Sequence, residues 1–330
     1  MLDGIDIKVL QALEFNSRQS ISNIARACDV SRDVVEYRMA KLVESGVIRN
    51  FLTGVDQTAF CSGVGTLLCK LKRSDDALFL QVLEKLKFID NINWVAEICG
   101  SYDLVIVILY KDISEFDKIS SLALNLLSPI LISHDTSFYL EEVKHFAGGL
   151  FSNGASPKNK IVPYPFQKPN NHFAKLDSVD KSIICELGEN SRISNSEVAR
   201  VVGVSEDVVR LRIKKLEKYR IISGYTITID PEKLGFEYYY VGLRFNILDS
   251  LIKSRFYDFV NNCPFISYCV NTTGKYNFIL DLHAKNRNHF TNVLVSLRRE
   301  FADSLLDYEF QLIIDLHKEV FVPKGLISKA

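Results

Sequence analysis

Two short segments of the chain bring hydroxyl and basic side chains together at a spacing suited to contact with a nucleic acid. They cover residues 31–44 and 205–218. In each, a serine opens a stretch whose apolar residues recur at helical spacing, which leaves one polar face free. A helix with such a face can place side chains in the major groove of DNA. The candidate DNA-contacting residues are Ser31, Arg32, Glu36, Tyr37, Arg38, Lys41, Ser205, Arg210, Arg212, Lys214 and Lys218.

The two faces differ in charge. Residues placed at about 100° intervals around each helix leave Glu36 and Glu44 on the first outer face, whereas the equivalent positions of the second hold Arg210 and Lys218. Because phosphate neutralisation supplies most non-specific affinity for DNA, the second segment is predicted to do most of the binding. Glu36 could still accept a hydrogen bond from a cytosine amino group.

Two arginines leave alternatives open. Arg38 and Arg212 lie beside the apolar stripes of these helices. That position agrees with two roles: packing of the side-chain stem with a local ion pair, or contact with a phosphate. Arg210 is the best candidate for a base or backbone contact, while Lys214 and Lys218 are expected to touch phosphates.

Elsewhere the sequence offers no constellation suited to catalysis. Its six histidines are dispersed without metal-ligand spacing, its seven cysteines form no C-x-x-C pair, and it has no glycine-rich phosphate loop. We therefore expect no catalytic residue, no metal and no cofactor.

Composition narrows the class of protein further. The 330 residues include 40 basic and 40 acidic side chains, so that any basic patch must be local. The longest apolar runs fall far short of the roughly 18 residues that span a bilayer. The first residues include Asp3 and Asp6 and lack the basic and apolar regions of a secretory signal. These features predict a cytoplasmic protein.

An internal repeat organises the chain. Asn16-Ser17-Arg18 recurs as Asn190-Ser191-Arg192, and Asp33-Val34-Val35 recurs as Asp207-Val208-Val209, at a constant offset of 174 residues. Residues 148–175 between the copies hold four prolines among Asn, Ser and Lys, which is typical of an extended linker. The predicted domains are 1–50 and 176–224, each a helix-turn-helix, and 51–147 and 225–330, each a sensor and dimerisation domain.

Each copy begins with three predicted helices. In the first copy, Asp3 is a plausible N-cap of helix one, Ser20 precedes a short second helix containing Ala25, and Ser31 caps the third. Gly46 ends the third helix. Two helices joined by a tight turn suit a helix-turn-helix, although periodicity alone agrees equally with a plain three-helix bundle. The duplicated turn favours the helix-turn-helix.

The remainder of each copy is predicted to have the order β-α-β-β-α-β. In the first copy the strands cover residues 64–72, 92–99, 103–110 and 130–143, and the helices 75–88 and 114–127. This order indicates an α+β, ferredoxin-like sandwich with helices on one face of an antiparallel sheet. The uncovered sheet face must pack against something, and the sister copy is the nearest candidate.

A hairpin between the two middle strands is the candidate effector site. A glycine there can supply the positive φ of a tight hairpin turn, or the turn can line an effector pocket between paired domains. The residues concerned are Gly100, Tyr102 and Asp103 in the first copy, and Gly274, Tyr276 and Asn277 in the second. Asp103 could accept hydrogen bonds from an α-amino group, so the first hairpin is the preferred site.

Together, the helix-turn-helix, the connecting strand, the ferredoxin-like domain and the Gly-x-Tyr-Asp hairpin resemble the leucine-responsive regulator/asparagine regulator (Lrp/AsnC) family. The resemblance rests on Ala25, Ser31, Val35, Arg38, Leu42, Gly46, Val47, Ile48, Gly100, Tyr102 and Asp103. It implies promoter DNA as partner of the N-terminal domains, sheet pairing between C-terminal domains, and an amino acid or other small effector near the hairpin. The usual member has one copy, so the chain resembles a covalent dimer, and larger homo-oligomers are expected from it.

Two departures from the family pattern distinguish the copies. Asn277 replaces the acid of the hairpin, and Arg220 stands where Gly46 stands in the first copy. An effector site at the second hairpin is therefore doubtful, and two equivalent sites are not expected.

Two other functional classes compete with a regulator. Fused siroheme decarboxylases share the architecture and resemble regulators, but these enzymes place His and Arg just before the Tyr-Asn of the hairpin, where they can handle the tetrapyrrole and its carboxylates. Residues 93–99 and 267–273 contain neither. An effector-sensing or assembly protein without DNA binding also agrees with the neutral net charge.

Overall fold

A computed structural model describes residues 2–57, 60–72, 76–145 and 176–329. The expected linker over residues 148–175 lies outside the described residues. The fold class is α+β, as expected, and the two copies have the same order of elements.

Each copy begins with a helix-turn-helix. In the first copy it consists of α1 (Gly4–Phe15), α2 (Ile21–Cys28) and α3 (Arg32–Glu44), followed by β1 (Ile48–Val55). In the second it consists of α6 (Ser178–Glu189), α7 (Asn195–Val202) and α8 (Glu206–Lys218), followed by β6 (Ile222–Ile229). The predicted caps form: the side chains of Asp3, Ser20 and Ser31 each accept a backbone N–H of the first turn.

A ferredoxin-like unit follows in each copy. The first contains β2 (Gly63–Leu71), α4 (Asp76–Lys87), β3 (Ile92–Cys99), β4 (Leu104–Tyr110), α5 (Ile113–Leu127) and β5 (Leu131–His145). The second contains β7 (Glu237–Phe245), α9 (Ser250–Asn262), β8 (Ile266–Gly274), β9 (Phe278–Ala284), α10 (Arg287–Glu300) and β10 (Leu305–Glu319), and a last helix, α11 (Lys324–Lys329), follows.

The two sheets close into one antiparallel barrel. Its strand order is β10-β3-β4-β2-β5-β8-β9-β7, so that β5 pairs with β8 and β10 pairs with β3 across the copies. The inner faces of the two sheets meet in the lumen, where Leu68, Val105, Val270 and Ile279 share one buried cluster. The sister copy therefore covers the sheet face and also removes the sheet edges.

The helices of each ferredoxin-like unit pack on the outside of the barrel. Phe79 and Leu83 of α4 pack with Leu67 of β2 in one buried cluster, and Phe256 of α9 packs with Phe278 of β9 in another. Side chains along each strand thus alternate between the helices outside and the lumen inside. This is the period-two pattern of a strand that is buried on both faces.

Candidate nucleic-acid interface and the junction cavity

The two helix-turn-helix units are joined through their following strands. β1 pairs antiparallel with β6. The hydroxyls of Ser17 and Ser191 form a buried hydrogen bond of 2.6 Å, and Arg18 donates to the Ile193 carbonyl at 2.8 Å. Reciprocally, Arg192 donates to the Gln19 carbonyl at 3.2 Å. These contacts hold the two third helices, α3 and α8, in a defined mutual position.

Both third helices bury an apolar stripe and expose the opposite face. Val35, Met39 and Leu42 are buried on α3, and Val209, Ile213 and Leu216 are buried on α8. Ser31 and Ser205 are the N-caps, each accepting a backbone N–H at 3.3 Å. The other candidate DNA-contacting residues that are exposed are Arg32, Glu36, Tyr37, Lys41, Arg210, Lys214 and Lys218.

The exposed faces of α3 and α8 differ in charge. Arg210, whose guanidinium pairs with the exposed Asp207 at 2.5 Å, lies one turn before Lys214. An ion pair between two such exposed side chains contributes little and can exchange for a phosphate. Exposed cations on α8 are Arg210, Lys214, Lys215 and Lys218, whereas those on α3 are Arg32 and Lys41.

Arg38 and Arg212 form ion pairs within their own helix-turn-helix units. Arg38 donates to Asp3 at 2.6 Å and to Asp6 at 3.0 Å. Arg212 repeats the arrangement with Asp177 at 2.7 Å and a buried Asp180 at 3.1 Å. These pairs tie the first helix of each unit to the third, so the geometry favours the packing role of both arginines.

Lys275 of the second hairpin contacts the first hairpin across the copies. The Tyr102 hydroxyl bonds the Asp135 carboxylate and receives a hydrogen bond from Lys275 Nζ. Tyr276 donates to Glu309 at 2.9 Å, and Lys275 donates to the same carboxylate at 3.0 Å. Lys275 also lies over the Tyr102 ring, 4.4 Å from its centroid. Sequence reasoning named neither Lys275 nor the two acids, because these contacts join residues far apart along the chain.

Asp103 and Asn277 have the same structural role. The Asp103 carboxylate accepts the Leu71 N–H at 2.8 Å, and Asn277 Oδ1 accepts the Phe245 N–H at 2.6 Å. Asp103 also pairs with Lys70 at 3.1 Å. The Asp103 carboxylate therefore already has partners within its own copy. Binding of an effector amine at Asp103 stays a prediction, and this geometry does not support it.

A cavity that sequence reasoning missed lies between the barrel and the β1–β6 pair, and we name it the junction cavity. Its volume is about 190 Å³. Its lining includes Glu14, Arg49, Asn93, Trp94, Tyr139, Glu142, Thr228, Tyr238, Tyr240, Ser267, Tyr268, Asp281, His283 and Glu319. A signal was present in the sequence: Asp281 and His283 interrupt an apolar strand where the first copy has Val107 and Leu109.

Burial shifts the ionisable groups of the junction cavity. It raises the pKa of Asp281 and of Glu319 to about 7, and that of Glu14 to about 8. It lowers the pKa of His283 to about 4, so this imidazole is neutral at neutral pH. Asp281 accepts a hydrogen bond from Tyr238 at 2.7 Å, and His283 Nε2 lies 2.8 Å from Ser267 Oγ.

Metal sites and membrane spans are both missing from the part of the chain that the structure describes. No group of three or more His, Cys, Asp or Glu side chains there could hold a metal ion. No helix among the described residues is both long and apolar enough to cross a membrane.

Both helix-turn-helix units match known domain families. The AsnC-type helix-turn-helix domain family matches residues 176–217, and a winged helix-turn-helix DNA-binding family matches residues 2–49. The HTH-type transcriptional regulator LrpC of Bacillus subtilis (strain 168) is 32% identical over 116 residues, which are 34% of this chain and 76% of that protein. Transcriptional regulator AzlB of the same organism is 29% identical over 121 residues, 36% of this chain and 77% of that protein.

Solved structures also match over the whole chain. The crystal structure of the siroheme decarboxylase NirDL has a TM-score of 0.60 at 14% identity, and the match covers 99% of both chains. At this identity the likeness concerns the fold, including its duplicated arrangement.

Proposed function

Because the chain belongs to the Lrp/AsnC family of regulators, of which LrpC is 32% identical over most of its length, we propose that it is a DNA-binding transcriptional regulator. Double-stranded DNA is its partner, and the two helix-turn-helix units of one chain take the place of those of a dimer. The units contribute unequally, and the second supplies most of the affinity.

The cationic outer face of α8 carries this proposal. Arg210, Lys214 and Lys218 are exposed at successive turns of the helix, while Glu36 and Glu44 occupy the matching turns of α3. Cations on α8 bind DNA phosphates and release counterions, which favours binding, whereas the acids on α3 repel the duplex. Arg210 is the proposed base or backbone contact, and the two lysines are the proposed phosphate contacts.

Arg38 and Arg212 are left out of the proposed contact set. Each already donates to two carboxylates of its own unit. Moving either guanidinium to a phosphate would leave Asp6 or Asp180 buried without that partner, which is costly. Their proposed role is to fix the orientation of the third helix in each unit.

The test is a salt titration of DNA affinity. A DNA-selection experiment on the purified chain supplies the preferred fragment, and anisotropy then measures its affinity for Arg210→Ala/Lys214→Ala. We expect weaker binding and a plot of log affinity against log salt that is flatter by about 0.9 for each phosphate that the variant no longer neutralises. Arg32→Ala/Lys41→Ala is the matched control, since it removes two exposed cations from α3. Its effect should be smaller.

The unequal roles would be overturned by two results. One is an equal loss of affinity in the two double variants. The other is a collapse of binding in Glu36→Ala, which should be neutral or favourable because it removes a negative charge facing the phosphates.

A tetrapyrrole decarboxylase is the alternative that the fold likeness raises, and we do not propose it. The strands before the two hairpins carry no His or Arg at residues 93–99 and 267–273. Glu142, Asp281 and Glu319 line the junction cavity, and in their ionised forms they would repel a substrate that itself carries several carboxylates.

A further inference from the structure

We propose that the junction cavity binds a small organic cation, an amine or ammonium compound with an apolar body. Its volume of about 190 Å³ exceeds the roughly 150 Å³ of an engineered cavity that admits benzene. Both copies and the β1–β6 pair contribute to its wall. This binding site goes beyond the proposed function and does not depend on DNA binding.

Several residues that line the junction cavity carry unpaired polar atoms. Tyr240 Oη, His283 Nδ1 and Thr228 Oγ1 have no hydrogen-bond partner among the described residues, and these side chains are 3%, 7% and 6% exposed. Asn93 Oδ1 is also without a partner among them. Buried polar groups are normally satisfied, and leaving one unpaired costs stability. Since an amide oxygen and neutral ring or hydroxyl groups can all accept, a donor-rich ligand would satisfy them.

The ionisable side chains around the junction cavity are predominantly acidic. Glu14, Glu142, Asp281 and Glu319 line it, whereas Arg49 is the one Arg or Lys among the described residues that do so. The Arg49 guanidinium lies 3.1 Å from Asp230 and is partly neutralised there. The raised pKa values of Asp281 and Glu319 reflect carboxyls removed from water. A bound cation would stabilise their ionised forms.

Aromatic rings form much of the remaining wall. Trp94, Tyr139, Tyr238, Tyr240 and Tyr268 all line the junction cavity. The faces of such rings attract cations, and their apolar area accommodates a hydrocarbon body. The wall thus selects for a ligand that combines positive charge with apolar surface.

The duplication provides an internal comparison for these residues. At the offset of 174, Asp281 corresponds to Val107, His283 to Leu109 and Tyr238 to Val64. Apolar residues at those places build the same strands in the first copy, so the fold does not require a carboxyl or an imidazole there. Retaining costly buried groups in one copy alone is typical of a binding site.

The first experiment compares three molecules of similar shape on the full chain by isothermal titration calorimetry without DNA. Phenethylamine is the cationic probe, and 2-phenylethanol and 3-phenylpropanoate are its neutral and anionic counterparts. We expect phenethylamine to bind at one site per chain, at least tenfold more tightly than either counterpart.

The second experiment tests the site with charge-removing variants. Asp281→Asn and Glu319→Gln keep the side-chain shape, and each should weaken phenethylamine binding about tenfold or more. Asp303→Asn is the matched control because Asp303 is exposed and outside the junction cavity. Its affinity should equal that of the unaltered chain. Thermal unfolding of each variant verifies that it is folded.

Three outcomes would overturn the proposal: no binding of phenethylamine, equal or tighter binding of the alcohol or the carboxylate, or unchanged affinity in both folded cavity variants. A chain that fails to bind DNA but shows the expected calorimetry would refute the proposed function and leave the cation site standing.

Discussion

Asp281 combines a buried carboxyl group with a strand that is otherwise apolar. It accepts one hydrogen bond, from Tyr238, and burial raises its pKa to about 7. The ordinary value for an unfolded chain is near 3.8. Between about pH 4 and pH 7 the Asp281 carboxyl is therefore protonated in the folded state and ionised in the unfolded state. The contribution of this group to the free energy of unfolding falls as the pH rises through that range.

Replacing this carboxyl with an amide should remove that pH dependence. We expect Asp281→Asn to raise the free energy of unfolding at pH 8 by on the order of 1–4 kcal/mol, with the difference shrinking toward pH 5. The amide oxygen can still accept from Tyr238. Urea unfolding at several pH values measures the effect. The other ionisable groups facing the cavity are Glu14, Arg49, Glu142, His283 and Glu319. The Asp281 charge helps to raise the pKa of Glu319, so Asp281→Asn/Glu319→Gln is compared with Glu319→Gln to isolate the Asp281 contribution.

The exposed Asp303→Asn is the reference for this measurement. It should leave the pH profile of stability unaltered because its carboxyl faces solvent in both states. Parallel profiles for Asp281→Asn and the unaltered chain would show that the Asp281 carboxyl does not bear the expected desolvation cost.

At the scale of elements, the end of β8 approaches β5 of the other copy very closely. Gly274 has φ +119°, and a Cβ there would lie 2.4 Å from the Thr136 carbonyl oxygen. We expect Gly274→Ala to destabilise the chain by about 3 kcal/mol, because strained backbone and overlap with a rigid main-chain atom add together. Thermal or urea unfolding measures the loss.

Gly46→Ala separates the backbone effect from the overlap. Gly46 has φ +73°, but its added Cβ would meet only Lys233 Cε, at 3.9 Å. A loss of about 1 kcal/mol is expected for a left-handed alanine alone. If both variants lost the same amount of stability, the close approach of β8 to β5 would contribute nothing to the cost of Gly274→Ala.

At the scale of the whole molecule, the contacts between copies make two halves into one body. The barrel closes only through β5–β8 and β10–β3, and the helix-turn-helix units join through β1–β6. We expect a chain cut by a protease site inserted within residues 150–170 to remain a one-to-one complex in size-exclusion chromatography. Hydrogen bonds along three strand pairs and a shared lumen core would hold the halves together.

The control for this cut is the uncut chain carrying the same insertion, which should elute at the same volume. Adding Val270→Asp to the cut chain should separate the halves, because it places a charge in the shared lumen cluster. Separation of the cut halves without that substitution would mean that only the covalent connection keeps the copies paired.

The sequence alone was sufficient for the local features of this protein. Serine caps, helical periodicity and hairpin glycines depend on residues a few positions apart, and the structure confirms them at Ser31, Ser205 and Gly274. The constant offset of 174 residues also predicted the tandem copies, and the β-α-β-β-α-β order of elements predicted their α+β class. Pairing of the sheet with the sister copy followed from the need to cover an apolar face.

Only the tertiary structure decided which distant side chains meet. It placed Arg38 on Asp3 and Asp6, and it placed Lys275 of the second hairpin on Tyr102 of the first. It also kept Arg220 at φ +56°, the conformation that Gly46 adopts in the first copy. The junction cavity was beyond sequence reasoning because its wall combines strands of both copies with α1, β1 and β6. Periodicity identifies which residues of a strand are buried, but the relative placement of elements determines whether they face a packed core or a space that a ligand can fill.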